Sequence, residues 1–97
     1  LNAAEAAYRL APGDANVLDT VGWARVRSGA LDIGLKALRE ARLRAPDSRE
    51  IRFHLAWTLN RKGLRDEARN ELQGVLNSTG GSAYDKEIQN LRRELGV

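Results

Sequence analysis

Apolar residues recur along the chain with a helical period. Val17, Leu18, Val21 and Ala24 follow i, i+1, i+4, i+7 and share one face of an amphipathic helix. Gly29 breaks that stretch just after Arg27 and Ser28, as a helix C-terminus should look. Leu31, Leu35, Leu38, Ala41 and Ala45 then line a second helix, with Asp32 in its first turn, where the positive end of the macrodipole favours an anion. Pro46 ends it, because proline cannot continue a helix and biases Ala45 out of the αR region. Asp47 and Glu50 have capping-box spacing ahead of a third helix carrying Ile51, Leu55 and Leu59. Gly63 stops it, and Asp66 and Glu67 open a fourth with Ala68, Leu72, Val75 and Leu76. The run Ser78-Thr79-Gly80-Gly81-Ser82 reads as a loop, after which Tyr84, Ile88, Leu91 and Leu95 mark a last helix. Residues 1 to 11, with Ala3, Ala7 and Leu10, supply one more at the start. No segment sustains a β alternation, so the pattern predicts an all-α fold of six helices.

The helices come in register. The chain has two prolines, Pro12 and Pro46, which stand 34 positions apart. The same shift superposes Trp23 on Trp57, Arg27 on Arg61, Gly29 on Gly63, Asp32 on Asp66 and Leu38 on Leu72. It also places Val17 over Ile51 and Val21 over Leu55. Both tryptophans and both prolines take part, which makes chance a poor explanation. The chain therefore divides into a partial repeat over 1–12 holding only a second helix, whole repeats over 15–48 and 49–82, and a terminal helix over 83–96.

Period, helix–turn–helix plan and closing proline together resemble the tetratricopeptide repeat. The first whole repeat supplies Leu18, Val21-Gly22 and Arg25, then Gly34, Leu38, Ala41 and Pro46. The second supplies Arg52, Leu55-Ala56 and Leu59, then Ala68, Leu72 and Val75, with Gly80 replacing the proline. Gly22, Ala56, Gly34 and Ala68 are the small residues of the helix crossing. The resemblance covers roughly residues 4 to 80, and the last helix looks like the family's capping helix. Arg25 and Arg52 stand where the family usually keeps a tyrosine and a tryptophan; either their stems snorkel over the core or those two contacts are loosened. The runs 18–24 and 53–57 look like bacterial long-array members, similar to those linked to exopolysaccharide export and PEP-CTERM protein sorting.

The resemblance implies a right-handed α-solenoid in which stacked hairpins share one core. It further implies a non-catalytic scaffold whose concave groove holds a peptide or partner chain. The family's inner stripe runs along the first helix of each pair. Here it reads Asn16, Asp19, Trp23 and Arg27, then Glu50, Phe53, Trp57 and Arg61, with Tyr84 and Glu87 at the groove's end. Aromatic and arginine side chains dominate binding hot spots, because they bring area with few torsions. Trp23 and Trp57 coincide under the repeat shift, which favours packing over ligand contact. Phe53 matches Asp19 instead of an aromatic and is the better ligand-contact residue. Arg27 and Arg61 precede helix ends, where the dipole also favours cations. Family members that grip a carboxylate-ended chaperone tail use a Lys/Asn/Arg clamp; Asp19, Phe53, Trp23 and Trp57 stand at its places, which disfavours that specificity.

Composition narrows the rest. Among 97 residues there is no Cys and one His, so thiolate chemistry, Cys-ligated metals and a His-rich metal site drop out, and no cofactor is expected. His54 reads as a satisfied surface or boundary residue and Asp66-Glu67 as dipole compensation. No G-x-G-x-x-G or P-loop occurs, so no enzyme is expected. A net charge of +3 is mild. The alternative function, nucleic-acid binding, would use Arg39, Arg42, Arg44, Arg49 and Arg52 with Arg61, Lys62, Arg65 and Arg69. Interleaved Glu40, Asp47, Glu50, Asp66, Glu67 and Glu71 favour a mixed solvated face instead, with Glu40 paired to Arg44 at i, i+4. No apolar run approaches the ~18 residues of a spanning helix. The start at Leu1, without Met, reads as an excised piece. That cut bares Ala3, Ala7 and Leu10 and predicts weak homodimerisation through the solenoid end. A cysteine-free chain leaves the compartment open, cytoplasmic or cell-envelope.

Overall fold

The computed structural model describes residues 14–77 and 85–97. The partial repeat, Pro12, the 78–82 loop, Tyr84 and the proposed dimer face lie outside them. The described residues are all-helical, with no strand: α1 (Ala15–Arg27), α2 (Leu31–Arg44), α3 (Arg49–Arg61), α4 (Arg65–Asn77) and α5 (Asp85–Leu95). The apolar period thus predicts every described helix to within a few residues.

The helix ends follow from named side chains. Asp14 caps α1, its carboxylate accepting from the backbone N–H of Asn16 at 2.8 Å and of Val17 at 3.2 Å. At α3 the cap is Ser48, whose hydroxyl accepts from Ile51 N at 3.4 Å, so the expected Asp47 cap moves one residue along. The two hairpin turns repeat each other. Gly29 (φ 98°) and Gly63 (φ 84°) occupy the left-handed region just past α1 and α3. The next N–H then reaches back to close the helix end, Ala30 to Arg25 O and Leu64 to Leu59 O, each at 2.9 Å. This is a Schellman ending that glycine enters without a Cβ penalty.

Such short turns bring α1 against α2 and α3 against α4 as neighbouring antiparallel pairs. Each helix packs on the next, and α3 also touches α1 on one side and α5 on the other. The pairs cross where the sequence is small. A Cβ on Gly34 would stand 2.7 Å from the Gly22 carbonyl oxygen and would strike Val26 Cγ2. One repeat later Ala56 and Ala68 are both fully buried. A continuous core runs from Val26, Leu35 and Leu38 through Phe53, Leu55 and Leu59 to Leu72, Val75, Ile88, Leu91 and Leu95. A smaller cluster joins Leu18, Ala41 and Ile51.

Most of the ion pairs among the described residues bridge helices, although Arg69 meets Asp66 at 3.1 Å within α4. Arg39 meets Glu67 at 2.9 Å, Arg49 meets Asp85 at 3.2 Å, and Lys62 meets Asp32 at 2.5 Å. The Glu40–Arg44 pair expected from spacing is not formed. Arg52, standing where the resemblance implies a tryptophan, makes polar contacts. Its guanidinium lies on Gly74, where a Cβ would run into it, and its Nε donates to Glu71 Oε1 at 3.2 Å. The same Glu71 oxygen accepts from Arg42 Nε at 2.8 Å, so one carboxylate ties α2, α3 and α4 together. The Arg52 head is thus held between Gly74 and Glu71, partly buried and bonded.

Helix α5 buries only Ile88, Leu91 and Leu95 and turns a charged face outward. Two arginines of α4 receive its C-terminal carbonyls: Arg65 donates to Glu94 O and Arg69 to Leu95 O, both at 2.9 Å. No helix among the described residues is long and apolar enough to cross a membrane.

Candidate functional site

Four rings from α1 and α3 meet where those helices touch. Steps of three and four residues put Asp19 and Trp23 on one stripe of α1, and Phe53, His54 and Trp57 on the facing side of α3. Trp23 stacks on the His54 imidazole, with centroids 4.2 Å apart and planes 15° from parallel. It meets Trp57 edge-to-face at 5.3 Å and Phe53 at 6.3 Å. Both indoles keep part of their surface exposed.

Beneath them, His54 Nδ1 donates to Asp19 Oδ1 at 2.6 Å, bridging the two repeats. His54 is 3% exposed. The boundary position that its amphipathic setting predicts is corrected here, and the reason is the place of α3. Four helices press on it, so seven of its thirteen residues are buried, and a polar residue there has to find a partner inside. Thr58, also buried, satisfies itself by donating from its hydroxyl to His54 O at 2.8 Å.

Phe53 is corrected too. Expected as the ligand contact, it is 1% exposed, with Trp23 and His54 against its ring, and so offers a ligand no surface. Asp19 is committed to His54 rather than open in a groove. Trp57 and Arg61 stay at the surface together, the Arg61 guanidinium lying 4.7 Å above the Trp57 ring. Arg27 is exposed at the end of α1, while Tyr84 lies outside the described residues. Of the predicted stripe, the structure brings Asp19, Trp23, Phe53, Trp57 and Arg61 into one cluster. The sequence reading missed His54 as its centre. The available signal was the lone imidazole inside the unbroken apolar run around Leu55 and Ala56, with a carboxylate on the matching helix of the preceding repeat.

Next to Trp57, between α3 and α5, lies an open cleft of about 180 Å³. Trp57, Glu87, Asn90, Leu91 and Glu94 line it, and Asn60 Nδ2 donates across to Glu94 Oε2 at 2.9 Å. The described residues hold no group of three or more His, Asp or Glu side chains arranged to bind a metal. What the arrangement can do is present flat aromatic area beside polar groups on a rigid helix face. The chain matches no protein-family model and no curated protein.

Proposed function

We propose that the chain is a segment of a tetratricopeptide-type right-handed solenoid, a non-catalytic scaffold that holds a peptide or partner chain against the face formed by α1, α3 and α5. The observation that carries this reading is the pair of partly buried indoles, Trp23 and Trp57, joined edge-to-face and continuing into the cleft beside α5. Rigid aromatic area beside a concavity is what a partner side chain needs for close desolvated contact. The like turns at Gly29 and Gly63, the close approach of Gly22 and Gly34, and the burial of Ala56 and Ala68 one period later support the repeat assignment. On the other side, the carboxylates of Glu67 and Glu71 engage Arg39, Arg42 and Arg52, which leaves less free positive charge for phosphates.

The test is a selection of peptides from a random library on the immobilised protein, followed by affinity measurements on variants. Trp57→Ala is expected to weaken selected peptides at least ten-fold, whereas Arg39→Ala on the far face leaves them unchanged. Equal binding to both variants would overturn the assignment of the face. Tighter binding of random duplex DNA, lost steeply with salt, would replace the reading altogether.

A further inference from the structure

The cleft between α3 and α5 has a charge pattern that the other charged pairs lack. Glu87, Asn90 and Glu94 follow i, i+3, i+7 and so form one stripe of α5 along its wall, with Trp57 and Leu91 as the apolar part. The Asn60 amide draws the Glu94 carboxylate toward α3, across the opening. Other acids that face another helix are matched by a cation, Glu67 by Arg39, Glu71 by Arg42 and Arg52 and Asp85 by Arg49, while Asp19 is held by His54. Glu87 and Glu94 enter no ion pair among the described residues. The aromatic part of the cleft, meanwhile, already carries a guanidinium, since Arg61 lies over the Trp57 ring.

We propose that this cleft receives an arginine side chain from the partner segment. This deepens the reading of the face as a peptide-binding surface and rests on it. An indole attracts a cation through its quadrupole, and the planar guanidinium stacks on such a ring while donating to carboxylates through its fork of N–H groups. Trp57 supplies the ring, and Glu87 and Glu94 supply acceptors that no cation among the described residues pairs. Arg61, exposed at the end of α3, acts as the resident competitor for the indole.

The experiment follows the Trp57 indole N–H by ¹H–¹⁵N NMR on the whole chain. The probes are acetyl-Gly-Leu-Arg-Leu-Gly-amide, its citrulline counterpart, which keeps the shape and loses the charge, and its glutamate counterpart. The arginine peptide is expected to shift the Trp57 signal saturably, with a Kd at least five-fold below that of the citrulline peptide. Replacing both acids, Glu87→Gln with Glu94→Gln, is expected to abolish that difference with the thermal melt unchanged, because both side chains are exposed. Arg61→Ala is expected to tighten the arginine peptide at least two-fold. Equal Kd values for arginine and citrulline, an unaffected double variant, or no shift at millimolar arginine peptide would each overturn the proposal. A larger shift from the glutamate peptide overturns it while leaving the peptide-binding face standing. Failure of the face itself is read separately, from library peptides indifferent to Trp57→Ala.

Discussion

Gly34 and Gly74 are both helical glycines, yet Gly→Ala should act on them in opposite ways. In an open helix the change favours folding by about 1 kcal/mol, since glycine carries more backbone entropy into the unfolded state. At Gly34 the new Cβ would stand 2.7 Å from the Gly22 carbonyl oxygen and 3.0 Å from Val26 N, both of them backbone atoms of α1. Neither can swing aside. Ordinary contact then requires α1 and α2 to part by about 0.7 Å, which loosens the packing of Leu18 and Leu38, both at 1% exposure or less. Overpacking costs about 1–3 kcal/mol, and clashes with unyielding backbone put Gly34 in the upper part of that range, about 2–3 kcal/mol, leaving a net loss of roughly 1–2 kcal/mol after the propensity gain. At Gly74 the obstacle is the far end of a flexible side chain, the Arg52 guanidinium. Moving it gives up one hydrogen bond to Glu71, worth about 1 kcal/mol, which the propensity gain offsets. Gly74→Ala should therefore stay within about 0.5 kcal/mol of the parent. Urea unfolding followed by far-UV circular dichroism measures both, with a constant m-value confirming that the unfolding reaction is unchanged. In a domain of this size the Gly34→Ala loss corresponds to a melting-point drop of roughly 5–15 °C. A Gly34→Ala protein as stable as the parent, or one more stable than Gly74→Ala, would refute the backbone-crossing explanation.

Other substitutions probe the polar framework. Asp19→Ala leaves the buried His54 imidazole without its 2.6 Å acceptor and should cost about 1–3 kcal/mol, seen as a lower urea midpoint; Asp19→Asn, which keeps an oxygen acceptor, should lose less. Glu71→Ala unlinks Arg42 and Arg52 at once and should destabilise by about 1–2 kcal/mol, with the difference from the parent shrinking as salt is added. Leu43, 79% exposed, is expected to tolerate Leu43→Ser within about 0.5 kcal/mol in the same assay, since it lies off the apolar stripe of α2.

Much of this architecture could be read in one dimension because helix formation answers to local rules. Apolar residues at three- and four-residue steps placed all the described helices, and Gly29 and Gly63 marked their stops. Those two glycines, 34 positions apart, end their helices with the same left-handed turn. The candidate cluster was only half legible. Trp23, Trp57 and Arg61 emerge from the repeat register, since the same position in successive units lands on the same face. Phe53 and His54 were misplaced because periodicity assigns one buried stripe per helix, whereas α3, pressed by neighbours on both sides, buries almost its full circumference. Likewise the i, i+4 rule offered Glu40 to Arg44, a pair that does not form, whereas Arg39 and Arg42 of α2 found carboxylates on α4.

Helix positions, turn glycines and the repeat interval were therefore written in the order of residues, because each depends on neighbours at most a few positions away. Which polar groups are sealed inside, which carboxylate bridges which helices and where a cleft opens depend on contacts between residues some twenty to forty positions apart. Those distances are set by how the hairpins stack. The Asp19–His54 bridge and the α3–α5 cleft exist only once that stacking has brought the helices together.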